Sequence, residues 1–131
     1  MNEVYDFIKK CRTYYLATVD EAGQPRVRPF GTINIFEGKL YIQTGKVKDV
    51  SKQIQKNPKV ELCCFDGNQW LRLAGELVRD DKIEPKQAML NAYPELKGMY
   101  SAQDENTEVL YFKNGTATIS SFAAAPKVIT F

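Results

Sequence analysis

The sequence predicts a mainly β fold, in which six or seven mostly antiparallel strands form a curled sheet or small barrel with two or three peripheral helices. Short segments rich in β-branched and aromatic residues recur along the chain in hairpin-sized steps, separated by Gly, Asn, Asp and Pro. Only a few segments carry the three- and four-residue spacing of an amphipathic helix. The 131 residues contain no repeat, low-complexity run or linker, so we expect one domain spanning residues 1–131.

The N-terminal part is predicted to form a helix, a strand and a long extended segment. The apolar face of the helix consists of Val4, Phe7, Ile8 and Cys11. Asn2 can cap that helix, and residues 14–19 (YYLATV) read as a strand rich in strand-forming residues. Residues 26–36 then run extended. Because Pro29 has no N–H to donate to a neighbouring strand, this segment is predicted to lie at a sheet edge or to be bulged.

Residues 39–58 (KLYIQTGKVKDVSKQIQKNP) are predicted to form a strand, a corner and a helix. Apolar and polar side chains alternate over residues 40–44, which indicates a half-buried strand, and Gly45 ends it. Helical spacing covers residues 47–54. Asn57-Pro58 then stops the helix.

The C-terminal half is predicted to contain more strands than helices. The expected elements are strands at residues 59–65 and 69–79, a helix at 84–93, and strands at 108–113 and 116–121. Gly75 marks a bulge or a close approach of two backbones. Asn114-Gly115 is the strongest hairpin signal in the chain. The tail that carries Val128, Ile129 and Phe131 is expected to pack against the rest of the protein.

Composition excludes several classes of function. The net charge of +2 is too small to indicate a nucleic-acid-binding protein by itself. The absence of histidine excludes Ser-His-Asp and Cys-His nucleophile systems, His-ligated zinc and His-ligated haem. Adjacent Cys63 and Cys64 lie in a predicted strand and point to opposite faces, so they cannot share a metal without distorting it. We interpret them and Cys11 as small apolar side chains and expect no metal site.

The same features predict the compartment. No apolar run approaches the length of a membrane span, and the N-terminal residues differ from a signal peptide. Three cysteines in such a chain suggest reduced thiols. We therefore expect a cytoplasmic protein that does not bind membranes.

Four cations converge on the start of the helix in residues 47–54. Lys46 and Lys48 fall in its predicted first turn, where the helix dipole and free N–H groups already create positive potential. Arg26 and Arg28 alternate along one face of their strand and suit a phosphate, which guanidinium binds through planar forks. If that strand pairs with the next one through a turn at residues 37–38, the arginines approach the helix start. The alternative is a solvated basic surface.

Four further residues could extend such a site. Gln43 and Thr44 end the strand before the helix and offer groups that bond a ring edge or a phosphate. Lys52 follows Lys48 by one helical turn and either extends the site or is simply solvated. Trp70, the only tryptophan, either caps the barrel or offers a stacking surface to a planar ligand.

The order of four segments resembles a known family. RVRPFG at 26–31, QTGKVK at 43–48, KNPKVEL at 56–62 and WLRLAGEL at 70–77 are similar to the pyridoxamine 5′-phosphate oxidase-like FMN-binding split barrels. The similarity lies with the small branch that includes general-stress-type proteins. It extends over nearly the whole chain.

The resemblance implies a split barrel, FMN as cofactor, a homodimer and oxidoreductase activity toward an unknown small-molecule substrate or electron donor. The expected cofactor-binding residues are Arg26, Val27, Arg28, Pro29, Phe30, Gln43, Thr44, Lys46, Lys48, Lys52 and Trp70. In the family, the residue matching Trp70 often comes from the other subunit. No residue stands out as a catalytic acid or base. Residues 48–50 (KDV) stand where family members often carry Ser-Arg-Lys, which leaves the individual phosphate ligands open.

Three functions therefore compete at this point. The first is an FMN-dependent oxidoreductase. Because the chain has no histidine, pyridoxamine phosphate oxidation itself is a poor match. The second is a flavin carrier or sensor without turnover, which needs the same phosphate site. The third is a small β-barrel that binds nucleic acid through its basic strand and Trp70, although such surfaces usually carry several stacking rings.

Overall fold

Eight antiparallel strands form one sheet, and three α-helices lie around it. The computed structural model describes all residues, 1–131. The helices are α1 (Asn2–Cys11), α2 (Asp49–Lys56) and α3 (Ile83–Ala92), with a 3₁₀ helix at Pro94–Gly98. The strands are β1 (Tyr14–Val19), β2 (Pro25–Phe30), β3 (Asn34–Phe36), β4 (Lys39–Gly45), β5 (Lys59–Phe65), β6 (Trp70–Asp80), β7 (Thr107–Ser120) and β8 (Lys127–Thr130). The predicted mainly β class is confirmed, with one strand more than expected.

The order of the strands makes the sheet curl into a split barrel. Neighbouring strands follow the order β2-β1-β5-β6-β7-β4-β3, and β8 pairs with β7. The consecutive strands β2 and β3 thus lie at opposite ends of this order. The link from Phe30 to Asn34 can span only roughly 14 Å, so the two ends must lie close together. The edge position that Pro29 predicted for its strand is confirmed.

Two apolar clusters stabilise this arrangement. The larger one contains 20 buried side chains from α1, α2 and the inner face of the sheet. The smaller one joins Met89 of α3 to Tyr41 and Val109 on the other face of the sheet. Because α3 covers that face, β4 is buried from Leu40 to Gly45. The prediction of a half-buried strand was therefore wrong.

The predicted hairpin at Asn114-Gly115 is also wrong, since β7 continues through both residues. Ala74 pairs with Thr116 and Glu76 pairs with Lys113. Asn114 and Gly115 therefore both lie opposite the single residue Gly75, which makes a β-bulge. Asn114 has a φ of 55° there, which explains why a turn-type sequence occurs inside a strand. A Cβ atom on Gly75 would lie 3.2 Å from the carbonyl oxygen of Lys113, as the predicted close approach requires.

Smaller differences occur at the chain's ends. Helix α1 begins at Asn2 with Met1 in the N-cap position, so Asn2 does not cap it. Strand β8 packs Ile129 against the main core, and Phe131 joins it there, as expected. Val128 points to the opposite face and is 60% exposed, because side chains alternate along a strand. None of the helices combines the length and apolar character needed to cross a lipid bilayer.

Candidate functional site

The turn between β4 and α2 brings a free cation to an uncapped helix start. Helix α2 begins at Asp49, so Lys46 and Lys48 precede its first turn rather than lying in it, and the acidic Asp49 opens that turn. Lys48 occupies the N-cap position, and no side chain caps the helix. The first N–H groups of a helix have no partner within the helix. This end of α2 therefore attracts an anion.

The cations around this turn differ in how they are compensated. Arg26 forms an ion pair with Asp20 at 2.9 Å, and Lys46 pairs with Asp81 at 3.1 Å. Hydrogen bonds, first from the Gln24 backbone and then from the Arg26 side chain, lower the pKa of Asp20. Lys48 takes part in none of the protein's ion pairs. It is thus the free cation nearest to the start of α2.

Arg28 reaches α2 from the other end of the sheet. Its Nη1 donates to the carbonyl oxygen of Leu16 at 3.0 Å and to Oγ1 of Thr18 at 2.8 Å, and its Nη2 donates to Oε1 of Gln53 at 2.8 Å. The expected route to the helix was wrong, since β2 pairs with β1 and not with β4. Burial lowers the pKa of Arg28, but an arginine remains charged. Its Nε–H and one Nη2–H keep no acceptor in the protein.

A cavity of about 380 Å³ opens between these groups, and we call it the inner cavity. Its lining residues are Arg28, Pro29, Phe30, Gly31, Thr32, Gln43, Thr44, Lys48, Val50, Tyr93, Glu95, Leu96, Met99 and Tyr100. Six residues of the expected site lie among them. A second, wider groove of about 630 Å³ adjoins it, sharing Arg28, Lys48 and Val50, and is lined also by Arg26 and Val27. Arg28 and Lys48 thus stand between the two spaces.

Hydrogen bonds fix the walls of the inner cavity. The Gln43 N–H donates to Oγ1 of Thr32 at 3.1 Å, which joins the β2–β3 link to β4. The hydroxyl of Tyr93 accepts the N–H of Ile33 and donates to its carbonyl oxygen, both at 3.1 Å, and it also accepts a bond from Lys9 at 3.0 Å. The cavity is therefore largely formed before any ligand enters it.

Three expected site residues lie elsewhere. Lys46 points to Asp81, and Lys52 lines another open groove, outside both the inner cavity and the wider groove. Trp70 lines neither the inner cavity nor the wider groove. Its ring packs against Phe122 with centroids 5.1 Å apart. Within one chain, these residues do not meet the cluster around Lys48.

One wall of the inner cavity is formed by residues that the sequence did not predict to belong to a site. Tyr93, Glu95, Leu96, Met99 and Tyr100 come from the end of α3 and the 3₁₀ helix that follows. They lie about fifty residues beyond the basic turn in the chain, and nothing in their spacing points to a ligand. The only local signal was Tyr93-Pro94, an aromatic residue at a helix end.

Comparisons with known proteins agree with this architecture. The family model described as pyridoxamine 5′-phosphate oxidase matches residues 1–114. No curated protein matches the chain significantly. A NimC/NimA family protein from Clostridium acetobutylicum is similar in structure with a TM-score of 0.95 and 45% identity, and the match covers 100% of this chain and 92% of that one.

Two more distant structures share the fold. A protein from Clostridium acetobutylicum related to general stress protein 26 has a TM-score of 0.74 at 19% identity, with 99% of this chain and 92% of that chain covered. An FMN-binding protein from Nostoc punctiforme, related to pyridoxamine 5′-phosphate oxidase, has a TM-score of 0.64 at 17% identity, with 99% and 94% covered. The family expectation from the sequence is confirmed.

Proposed function

Because the chain belongs to the pyridoxamine 5′-phosphate oxidase family, we propose that it binds FMN and works as an oxidoreductase. One observation supports the cofactor most directly: the uncompensated Lys48 stands at the uncapped start of α2 and lines a preformed cavity. A helix N-terminus together with a lysine is a common phosphate site. The FMN-binding neighbour from Nostoc punctiforme has the same fold.

The donors around the inner cavity suit a phosphate at one end and a ring system at the other. Lys48, the free N–H groups of Arg28 and the start of α2 would hold the phosphate. The edge strand at Pro29 and Phe30, with Gln43 opposite, would border the ring. A cavity of about 380 Å³ falls within the usual range for small-molecule sites, roughly 300–1,000 Å³. When bound, the flavin supplies the redox chemistry, while the protein binds and orients it.

The proposed phosphate site predicts that the protein binds FMN in preference to riboflavin. Riboflavin lacks the phosphate, and a charge-assisted hydrogen bond contributes roughly 1.5–3 kcal/mol. We expect FMN to bind at least about tenfold more tightly than riboflavin, as measured by calorimetry on apoprotein. The spectrum of the purified protein should show the bands of oxidised flavin. Equal affinities for the two flavins would contradict the proposal.

Turnover distinguishes an oxidoreductase from a flavin carrier or sensor. We expect NADH or NADPH to reduce the flavin-loaded protein in a stopped-flow experiment, followed as bleaching of the oxidised flavin band. Dithionite, which reduces an accessible flavin without a binding site, serves as the control for reducibility. The carrier is the better description if dithionite reduces the bound flavin, while NADH and NADPH reduce it no faster than they reduce free FMN.

A homodimer is the third part of the proposal. The face of the sheet that points away from the core carries exposed apolar side chains, namely Tyr15 (52%), Val27 (67%), Phe65 (60%) and Val128 (60%). Phe122, 95% exposed, packs on Trp70 at the same face. Such a surface indicates an interface with another molecule, and a second copy would bring Trp70 near a partner's flavin.

Light scattering tests the dimer. We expect a molecular mass of two chains at micromolar concentration with flavin bound. Phe65→Lys, which places a charge in the middle of the apolar face, should shift the protein toward the monomer. Lys59→Glu, on the same strand but outside that cluster, should not. A monomeric wild type with flavin bound would rule the dimer out.

A further inference from the structure

A short segment between the 3₁₀ helix and β7 holds the basic turn from outside. Asn106 contributes both of its oxygens: its carbonyl oxygen accepts the N–H of Lys46 at 2.8 Å, and its side-chain Oδ1 accepts the N–H of Val47 at 3.2 Å. The next N–H, of Lys48, donates to the carbonyl oxygen of Gly45 at 3.0 Å. One residue, 59 positions away in the sequence, therefore fixes the backbone just before Lys48.

Asn106 is itself held in place by Asp104. The two carboxylate oxygens accept the N–H groups of Asn106 at 2.9 Å, Thr107 at 2.7 Å and Ser101 at 3.0 Å, and the hydroxyl of Thr107 at 2.9 Å. Desolvation raises the pKa of Asp104, but the hydrogen bonds from Thr107, Ser101 and Asn106 outweigh it and lower that pKa to about 2. The carboxylate is therefore ionised at neutral pH, and its four hydrogen bonds tie Ser101, Asn106 and Thr107 together.

Close packing joins the same segment to the inner cavity. A Cβ atom on Gly45 would lie 3.2 Å from Nδ2 and 3.3 Å from Oδ1 of Asn106, and 3.3 Å from the hydroxyl of Tyr100. Tyr100 also lines the inner cavity. The absence of a side chain on Gly45 therefore lets Asn106 approach the turn closely enough to bond it.

We propose that Asn106 is a positioning residue for the phosphate of the cofactor. It would act by fixing the turn at Lys46 and Val47, which sets where Lys48 and the start of α2 face the inner cavity. This inference rests on the proposed function, since it concerns the phosphate site of the flavin. Asn106 does not line the inner cavity. It would nevertheless belong to the set of residues that determines selectivity for a phosphorylated flavin.

The test compares FMN and riboflavin affinities in two variants by calorimetry. Asn106→Ala removes the acceptor for the Val47 N–H. Asn57→Ala removes a similar bond just beyond the other end of α2, where the Lys59 N–H donates to Oδ1 of Asn57 at 3.2 Å. We expect Asn106→Ala to weaken FMN binding about fivefold, as the loss of one hydrogen bond would, with riboflavin binding unchanged. Asn57→Ala should leave both affinities unchanged. A merely structural role would weaken both flavins together.

A second variant covers the case in which Asn106→Ala does not fold. Gly45→Ala adds a methyl group against the Asn106 side chain and should lower the ratio of FMN to riboflavin affinity in the same direction. If the wild type prefers FMN and a folded variant keeps the wild-type ratio, the role of Asn106 is overturned while the proposed function stands. If the wild type has no preference for FMN, the proposed phosphate site is wrong, and this inference falls with it.

Discussion

Replacing Arg79 with alanine is expected to lower the free energy of unfolding by about 3–5 kcal/mol. The side chain of Glu108 is fully buried, and Arg79 is its ion partner. Gln55 of α2 adds only a long contact of 3.4 Å to Glu108, and Oε1 of Glu108 has no hydrogen-bond partner at all. The substitution would leave a carboxylate in the interior without compensation, which is far more costly than losing an exposed pair.

Two controls separate this effect from the general loss of a cation. Lys113 lies exposed on the neighbouring strand β7 and forms no ion pair, so Lys113→Ala should change the stability by no more than about 0.5 kcal/mol. The double variant Arg79→Ala/Glu108→Leu removes the buried charge as well and should recover most of the loss. Urea unfolding measures all three. A loss of 1 kcal/mol or less for Arg79→Ala would mean that water compensates Glu108.

This ion pair shows where sequence reasoning reaches its limit. The sequence predicts Arg79 at the end of one strand and Glu108 at the start of a hairpin, and no pattern connects the two residues. They meet because β7 pairs with β6 as far as Val109 opposite Asp80, which brings the next residue, Glu108, beside Arg79. That pairing depends on the β-bulge opposite Gly75. Asn114-Gly115, which predicts a hairpin turn, instead forms this bulge within β7.

The candidate site also has a part that the sequence predicts and a part that only the tertiary structure shows. Its local parts were predictable, because Gly45, Lys48 and the apolar spacing of α2 lie within one stretch of chain. The parts contributed by distant segments were not. Asn106 meets the basic turn, and Tyr93 meets Ile33, only because the sheet closes on itself. Polar residues in loops carry no periodicity from which such contacts could be inferred.

Ion pairing also decides which of the expected cations are available, and the sequence does not reveal it. Lys46 and Lys48 are equivalent in spacing and type. In the structure Lys46 is held by Asp81, a residue that follows β6, whereas Lys48 is free. The carboxylate that distinguishes them lies 35 residues further along the chain, so the choice depends on tertiary structure alone.

Replacing Lys48 with alanine is expected to change stability and cofactor affinity in opposite directions. Near a helix N-terminus a cation is unfavourable by roughly 0.3–1 kcal/mol, so the apoprotein should keep its stability or gain up to about that amount. FMN affinity should fall about tenfold or more, because a charge-assisted hydrogen bond contributes roughly 1.5–3 kcal/mol and 1.4 kcal/mol is tenfold. Apoprotein melting and FMN titration measure the two effects.

Lys59→Ala is the matched control for this experiment, because it removes the same charge from an exposed position on β5. It should leave FMN affinity unchanged, whereas a diffuse attraction by net charge would weaken FMN binding equally in both variants. Riboflavin affinity should not respond to Lys48→Ala, since riboflavin has no phosphate. If Lys48→Ala binds FMN as tightly as the wild type, Lys48 is only a solvated cation. The phosphate would then have to depend on Arg28 and the N–H groups of α2, and Arg28→Lys, which loses the planar fork, becomes the decisive variant.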